Sequence, residues 1–382
     1  MKVPQLLGGL ICCLFLWLLP QAAYAQEEAI QDFEQELRSL EEFSKVYHII
    51  QNQFITPQEP QALLRQAIRG MTRSLDPYTQ ILTRQELEKL EQESLGTYRG
   101  IGISTQVIKD QLTVSQVSPN TPAELFGLLP GDIITHVNDH SLEGITLNKL
   151  PNLLHTPLED KHVTLTFFHP ENPQDLFKKK IPKTWIRSSS TSSHSPQRGV
   201  LVLAIHQFQK DTAEAVKKAL HQEDFQTVIL DLRNNPGGLL IAAVETAELF
   251  LEAGPIVETR NRQGEIVAQY ISRRAFARKA PQIIVLINKY TASAAEILAG
   301  AIQDRQRGIL IGEKSFGKGI VQSIFRISDE LFLKITTAKY YTPSGISIHR
   351  KGIHPNLSVS DTNQVKRYNQ EDRIFQEAIK HL

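Results

Sequence analysis

The stretch GEKSFGKG, residues 312–319, places Gly312, Gly317 and Lys318 with the spacing of a phosphate-binding loop. Such a loop also needs a Ser or Thr after the lysine to hold a metal ion, and a following helix whose positive end faces the anion. Position 319 is Gly, and the next residues, IVQSIFRI, alternate apolar and polar as a strand does. Lys318 therefore has a different task. An isolated lysine is usually a solvated surface charge, but Phe316, Ile320 and Val321 surround this one and its flanking glycines permit close packing. Desolvation lowers a lysine pKa by several units from about 10.4, and a neutral lysine is a base.

A base needs a nucleophile. Ser293 follows the strand-like run IIVLINK and opens the helical run SAAEILAGAI, so it stands where a helix's positive end favours developing negative charge. Taken alone, a serine at that place reads as an N-cap. The chain has twelve histidines, yet it contains neither G-x-S-x-G nor H-E-x-x-H. His349 and His354 read as surface or packing positions, with no acidic partner or ligand spacing beside them. The only cysteines, Cys12 and Cys13, lie in the apolar run near the start, which leaves no thiol nucleophile and no cysteine metal site beyond it.

The elements that must position these residues follow an alternating pattern. Beyond a Ser-rich stretch at 188–198, SSSTSSHSPQR, which reads as a polar linker, come strand VLVLAIHQF, helix DTAEAVKKALHQ and strand TVILDLR. A helix after NNPGG, strand IIVLINK, helix SAAEILAGAI and strand GILIG complete the series. Strands alternating with helices predict a layered α/β domain. Upstream, FEQELRSLEEFSKVYHIIQNQF puts Phe33, Leu37, Leu40, Phe43, Val46, Tyr47 and Ile50 on one helical stripe. TPQEP interrupts that helix, QALLRQAIRGMTRSL resumes it, and Gly70 and Asp76-Pro77 punctuate again.

The first residues, MKVPQLLGGLICCLFLWLLPQAAYAQ, combine Lys2, an apolar run to Leu19 and small residues at Ala23 and Ala25. This is the pattern of a secretory signal cleaved after Ala25, and the run is shorter than the roughly 20 residues a membrane span needs. An exported chain is expected, periplasmic by preference; if the segment stays attached, the chain is membrane-associated instead. Removing residues 1–25 takes one lysine and no acid, leaving 41 basic and 41 acidic residues. A neutral balance gives no electrostatic ground for nucleic acid.

Residues 98–182 change character to short β-rich runs. The phrase VSPNTPAELFGLLPGDIITHVND resembles a circularly permuted PDZ domain of exported proteases, with a helix stopped by Gly127, a tight turn and a strand in that order. YRGIGIS resembles the carboxylate-binding loop of such domains. Gly100, Ile101, Gly102 and Ile103 would then turn N–H groups toward a peptide's terminal carboxylate while the peptide adds to a sheet edge. Pro151 falls in TLNKLPNLLHT, where the groove-walling helix is expected, and would kink it.

Three motifs follow in order, DLRNNPGG at 231–238, TASAAE at 291–296 and SFGKG at 315–319. Together they resemble the carboxyl-terminal processing peptidases, or tail-specific proteases, and the resemblance runs from DPYTQILT through TAKYYTPSGISI and KGIHPN to residue 356. It implies a Ser-Lys dyad serine peptidase with Ser293 as nucleophile, Lys318 as base and Gln322 supporting the lysine. It also implies an oxyanion hole from Gly237, Gly238 and Ala294, with Asn234 and Asn235 shaping the turn. Four residues of straight strand span about 13 Å, so Gln322 reaches Lys318 only if Gly317 and Gly319 bend the chain.

The expected fold is α/β and multidomain, divided as a signal peptide at 1–25, a helical N-terminal region at 26–95 and an inserted PDZ-like β-rich domain at 96–183. A crotonase/ClpP-like layered protease core at 184–356 and a C-terminal helical segment at 357–382 complete it. The expected activity is cleavage of protein or peptide substrates through tails held by the PDZ-like domain, with no cofactor and no metal. Two alternatives stand beside it, a silent tail-binding adaptor and an acyl-CoA enzyme of crotonase type; the intact dyad opposes the first, and export and the PDZ-like region oppose the second. An activating adaptor protein and a homodimer through the N-terminal helices and EDRIFQEAIKHL are further expected partners.

Overall fold

The computed structural model describes residues 31, 33–108, 110–142, 161–273, 281–360 and 367–382. The chain divides into two compact units, residues 1–77 and 78–382. In the first, helix α1 covers 33–53 and helix α2 runs Pro60–Leu75. Glu59 caps α2, accepting hydrogen bonds from the Gln61 and Ala62 N–H groups, and Pro60 fills the first helical position, where no N–H is needed. Phe33, Leu37, Leu40, Phe43 and Val46 of the α1 stripe are exposed.

The second unit is built around a six-stranded sheet, in spatial order β10 (Thr191–Gln197), β11 (Val200–Ile205), β12 (Thr227–Asp231), β15 (Gln282–Ile287), β16 (Gly308–Gly312) and β19 (Leu357–Ser358). From β11 onward all pairings are parallel. A parallel sheet is covered on both faces, which is why VLVLAI and IIVLI read as unbroken apolar runs. The two-residue period sorts them. Leu201, Leu203, Ile205, Val228, Leu230, Ile283, Val285 and Ile287 face one core, with helices α5 (Thr212–Leu220), α6 (Leu240–Glu248) and α7 (Ala294–Asp304). Val200, Val202, Ile229, Ile284, Leu286 and Ile311 face the other, where helix α8 (Arg373–Ile379) buries Ile374, Phe375 and Ala378. The apolar side of the closing segment is therefore occupied by its own sheet.

A second sheet joins β1 (Gln80–Thr83), β18 (Leu331–Tyr341), β13 (Gly254–Arg260) and β14 (Ile266–Ser272), with β17 (Ile320–Arg326) also on β18. Residues 80–83, expected within the helical N-terminal region, are thus a strand of this unit, and helix α3 (Arg84–Ser94) follows them. β2 (Thr97–Gly100) and β9 (Thr184–Arg187) form a two-stranded ribbon.

Between the ribbon strands lies a small sheet of β3 (Ile103–Ile108), β4 (Gln111–Val117), β5 (Ile133–Val137), β6 (His140–Ser141), β7 (His162–Phe168) and β8 (Phe177–Pro182). It encloses its own core of Leu112, Val114, Leu128, Ile134, Leu165 and Phe167. The short helix α4 (Pro122–Leu125) ends as expected at Gly127, which has φ +83°. Pro151 and the expected groove-walling helix lie outside the described residues.

One expectation fails within 188–198. The Ser-rich stretch is not a linker, because Thr191–Gln197 is the antiparallel edge strand β10 paired with β11. Its side chains are almost all exposed, so composition mirrors the solvent while the backbone hydrogen bonds make the strand.

Candidate active site

Ligand sites in open parallel sheets lie at the carboxyl ends of the strands. The three sequence motifs stand there side by side, since DLRNNPGG ends β12, TASAAE follows β15 and SFGKG follows β16, and these strands are neighbours. Ser293 is the N-cap of α7 and has φ +56°, ψ −119°. That backbone costs a non-glycine residue about 1–3 kcal/mol and persists only where the surroundings enforce it.

The enforcement is visible in the loops. The Ala292 N–H donates to the Asn235 carbonyl at 2.9 Å and the Thr291 hydroxyl to the Leu232 carbonyl at 2.9 Å. Asn234 and Asn288 exchange hydrogen bonds at 3.0 and 2.7 Å. Gly237 lies against the serine; a Cβ there would sit 2.7 Å from Ser293 Cβ and 3.0 Å from the Ala294 nitrogen, and its φ of +105° suits glycine alone. The Gly237 N–H itself donates to Asn235 Oδ1 at 2.8 Å. The Gly237 carbonyl and the Leu239 N–H are both fastened to Phe208. Asn234 and Asn235 thus shape the turn, as expected.

Beneath this turn Arg233 is almost completely buried between two carboxylates. Its guanidinium donates to Asp231 at 2.7 and 3.0 Å and to Asp372, which precedes α8, at 2.7 and 3.0 Å. The Tyr368 hydroxyl and Arg367 complete the shell of Asp231. Burial alone would raise both carboxyls, but hydrogen bonds and charge from Arg233 hold them below the usual carboxylate range.

Glu296 joins the two halves of the site. It is three residues after Ser293, fully buried, and its carboxylate accepts four hydrogen bonds. Oε2 takes the backbone N–H groups of Ser293 (2.8 Å) and Lys318 (2.9 Å), while Oε1 takes the Ser315 hydroxyl (2.5 Å) and the Gly317 N–H (2.7 Å). One carboxylate therefore fixes the main chain of the serine and of the lysine together. Burial pushes the Glu296 carboxyl up, and the four donors, which favour its anion, oppose that. Its sequence signal is a Glu at the third helical position after Ser293, the mark of a capping box, which by itself does not announce the bonds to 315–318.

Lys318 is half-buried, with its pKa lowered by desolvation and then by the charge of Lys334 on β18. Its glycines serve packing rather than phosphate. A Cβ at Gly319 would meet the His349 nitrogen at 2.4 Å, so residues 317–319 lie tight against the 348–352 loop, where the Arg350 N–H donates to the Gly317 carbonyl. The Gln322 amide donates to the Tyr78 carbonyl at 2.6 Å, after a register shift in β17 between Val321 and Gln322. Lys318 Nζ lies 4.7 Å above the centre of the Tyr78 ring. His354 is exposed, and no cluster of three metal-ligating side chains occurs among the described residues.

Residues 199–359 match the model of peptidase family S41, and residues 113–167 that of the PDZ domain. A "Probable CtpA-like serine protease" of Staphylococcus epidermidis is 34% identical over 327 residues, covering 84% of this chain and 66% of that protein. This chain belongs to peptidase family S41. A Staphylococcus aureus protein of the same description is 34% identical to the S41 chain over 336 residues, covering 87% of it and 66% of the relative. The S41 chain thus spans slightly less than two thirds of the length of these relatives. Among solved structures, the photosystem II D1 C-terminal processing protease superposes with a TM-score of 0.53 at 27% identity, covering 83% of this chain and 86% of that one.

The PDZ portion of the S41 chain has a groove at the expected carboxylate-binding loop. A cavity of about 190 Å³ is lined by Gly100, Ile101, Gly102 and Ile103 together with Val163 and Leu165 of β7. The Ile101 and Gly102 carbonyls accept hydrogen bonds from Ala123 and Ser118, which sets the loop against α4. No helix among the described residues is long and apolar enough to cross a membrane.

Proposed function

We propose that this S41 chain is an exported serine endopeptidase that cleaves peptide bonds with a Ser293–Lys318 dyad. The observation that carries the reading is Glu296, whose one carboxylate binds the backbone of both residues. In acylation the neutral Lys318 amine takes the Ser293 hydroxyl proton as Oγ bonds to the substrate carbonyl carbon. The ammonium then gives that proton to the leaving amine as the C–N bond breaks. In the second half a water adds to the ester carbonyl, losing its proton to Lys318, which returns it to Ser293 Oγ.

The oxyanion needs N–H donors placed before the reaction begins. Gly238 and Ala294 suit this, since among the described residues neither N–H is engaged by the protein. The Gly237 N–H joins them by leaving Asn235. The groove beside Gly100–Ile103 accepts a substrate's C-terminal tail, whose terminal carboxylate meets the loop and whose strand adds to the sheet edge. The same reading includes a periplasmic setting, an activating adaptor and a homodimer through the exposed apolar stripe of α1.

The test is hydrolysis of an unfolded protein and of tailed peptides by the purified chain beside Ser293→Ala and Lys318→Ala, with products read by mass. Loss in both variants, with chelators without effect, supports the dyad. Activity that survives either substitution overturns it, and a wild type that binds tails without cutting, even with extracts of its own cells added, makes the chain an adaptor.

A further inference from the structure

Tyr78 stands two residues before β1 and meets Gln322 of β17 and Lys318 on the approach to that strand. Its carbonyl accepts the Gln322 amide at 2.6 Å, and its ring lies under Lys318 Nζ at 4.7 Å, inside the roughly 6 Å within which an ammonium is attracted to a ring face. The neighbouring Thr79 hydroxyl accepts the Thr336 N–H at 3.3 Å, and Thr336 is the cross-strand partner of Gln322, so the residue is held in register by the sheet. Tyr78 is itself half-buried.

Resting on the dyad reading above, we infer that Tyr78 is a positioning residue that acts through Lys318. Its ring face receives the ammonium in the interval when the lysine carries the proton taken from Ser293, and its carbonyl sets Gln322. A base that must be neutral to begin and charged halfway needs an environment that tolerates both states. The groups facing Lys318 divide accordingly. Lys334 on β18 and burial disfavour the ammonium, while the Tyr78 ring on the β1 side favours it. The Glu296 carboxylate on α7 binds its backbone N–H and adds negative charge nearby. Tyr78 thus does for a lysine what a buried carboxylate does for a triad histidine, orienting the base and stabilising its charged form.

The experiment measures kcat/KM against pH for full-length Tyr78→Leu, Tyr78→Phe and Tyr78 replaced by phenylalanines of increasing fluorination, beside Ser293→Ala and Lys318→Ala. Fluorine drains the ring face of negative charge with little change of shape. Losing the ring removes a group that favours the ammonium, so the acid limb, where the rate rises as Lys318 deprotonates, is expected to move to lower pH by about half to one unit in Tyr78→Leu. The rate at the optimum is expected to fall about tenfold. Tyr78→Phe recovers the wild-type limb, and stepwise fluorination moves it stepwise. A rate lowered equally at every pH, or a fluorine series that leaves the limb in place, overturns the inference while the dyad stands. Activity surviving in Ser293→Ala or Lys318→Ala overturns the dyad and this inference with it. If Tyr78→Leu does not fold, the Phe and fluorine series alone decides.

Discussion

Replacing Glu296 by Gln separates the carboxylate's role from its bulk. A glutamine oriented with its carbonyl at the Oε2 position keeps the Ser293 and Lys318 N–H groups, but its amide then meets the Gly317 N–H donor to donor. The Ser315 hydroxyl cannot compensate fully, because it already accepts the Ile353 N–H at 2.6 Å. At least one hydrogen bond to a charged acceptor is lost and one buried donor is left unpaired, a cost of about 2–4 kcal/mol. Gly317 directly precedes Lys318, so relaxation of that clash moves the proposed base. A displacement of about 1 Å at a reacting group lowers the rate about 100-fold. Glu296→Gln is therefore expected to fold, with a lower urea midpoint, and to lose about 100-fold in kcat with KM changed by less than about threefold. Steady-state peptide hydrolysis and urea unfolding on the same preparation measure both. A variant that is destabilised as stated yet turns over at the wild-type rate would refute the idea that this carboxylate registers the serine and the lysine.

Two further substitutions probe the turn. Gly237→Ala drives a methyl into Ser293 Cβ and demands φ +105° of an alanine, so activity is expected to fall by more than about 100-fold while circular dichroism stays native. Arg233→Met leaves Asp231 and Asp372 buried without their guanidinium, a loss of about 3–5 kcal/mol at neutral pH. In the wild type both carboxyls are depressed, so their contribution is complete above the unfolded value of about 3.9 and fades as pH falls below it. The stability gap between wild type and Arg233→Met, followed by thermal unfolding, is expected to narrow below about pH 4; a gap constant with pH would contradict that assignment.

The parallel strands were legible because a doubly covered sheet must be apolar on both faces, and VLVLAI, TVIL and IIVLI declare it. Ser293 and Lys318 were singled out by the three ordered motifs and the family these resemble, since local pattern alone gives an N-cap and a surface lysine. β10 was hidden, since an edge strand with solvent around its side chains has the composition of a linker. Glu296 and Tyr78 were hidden for another reason: their part lies in contacts across 22 and 244 residues, respectively, which no local pattern encodes. The Gln322 side chain reaches the Tyr78 carbonyl, while the Tyr78 ring meets Lys318.

The brace under the Gly237 turn has a temporal meaning. Arg233 waits for Asp372, 139 residues further along the chain, before its second carboxylate is in place. A polypeptide emerging from the ribosome or crossing a membrane in N-to-C order presents Ser293 and Lys318 well before that partner arrives. Until α8 docks, Arg233 has Asp231 alone, so the turn at Gly237 gains its second tie only when the closing helix is in place.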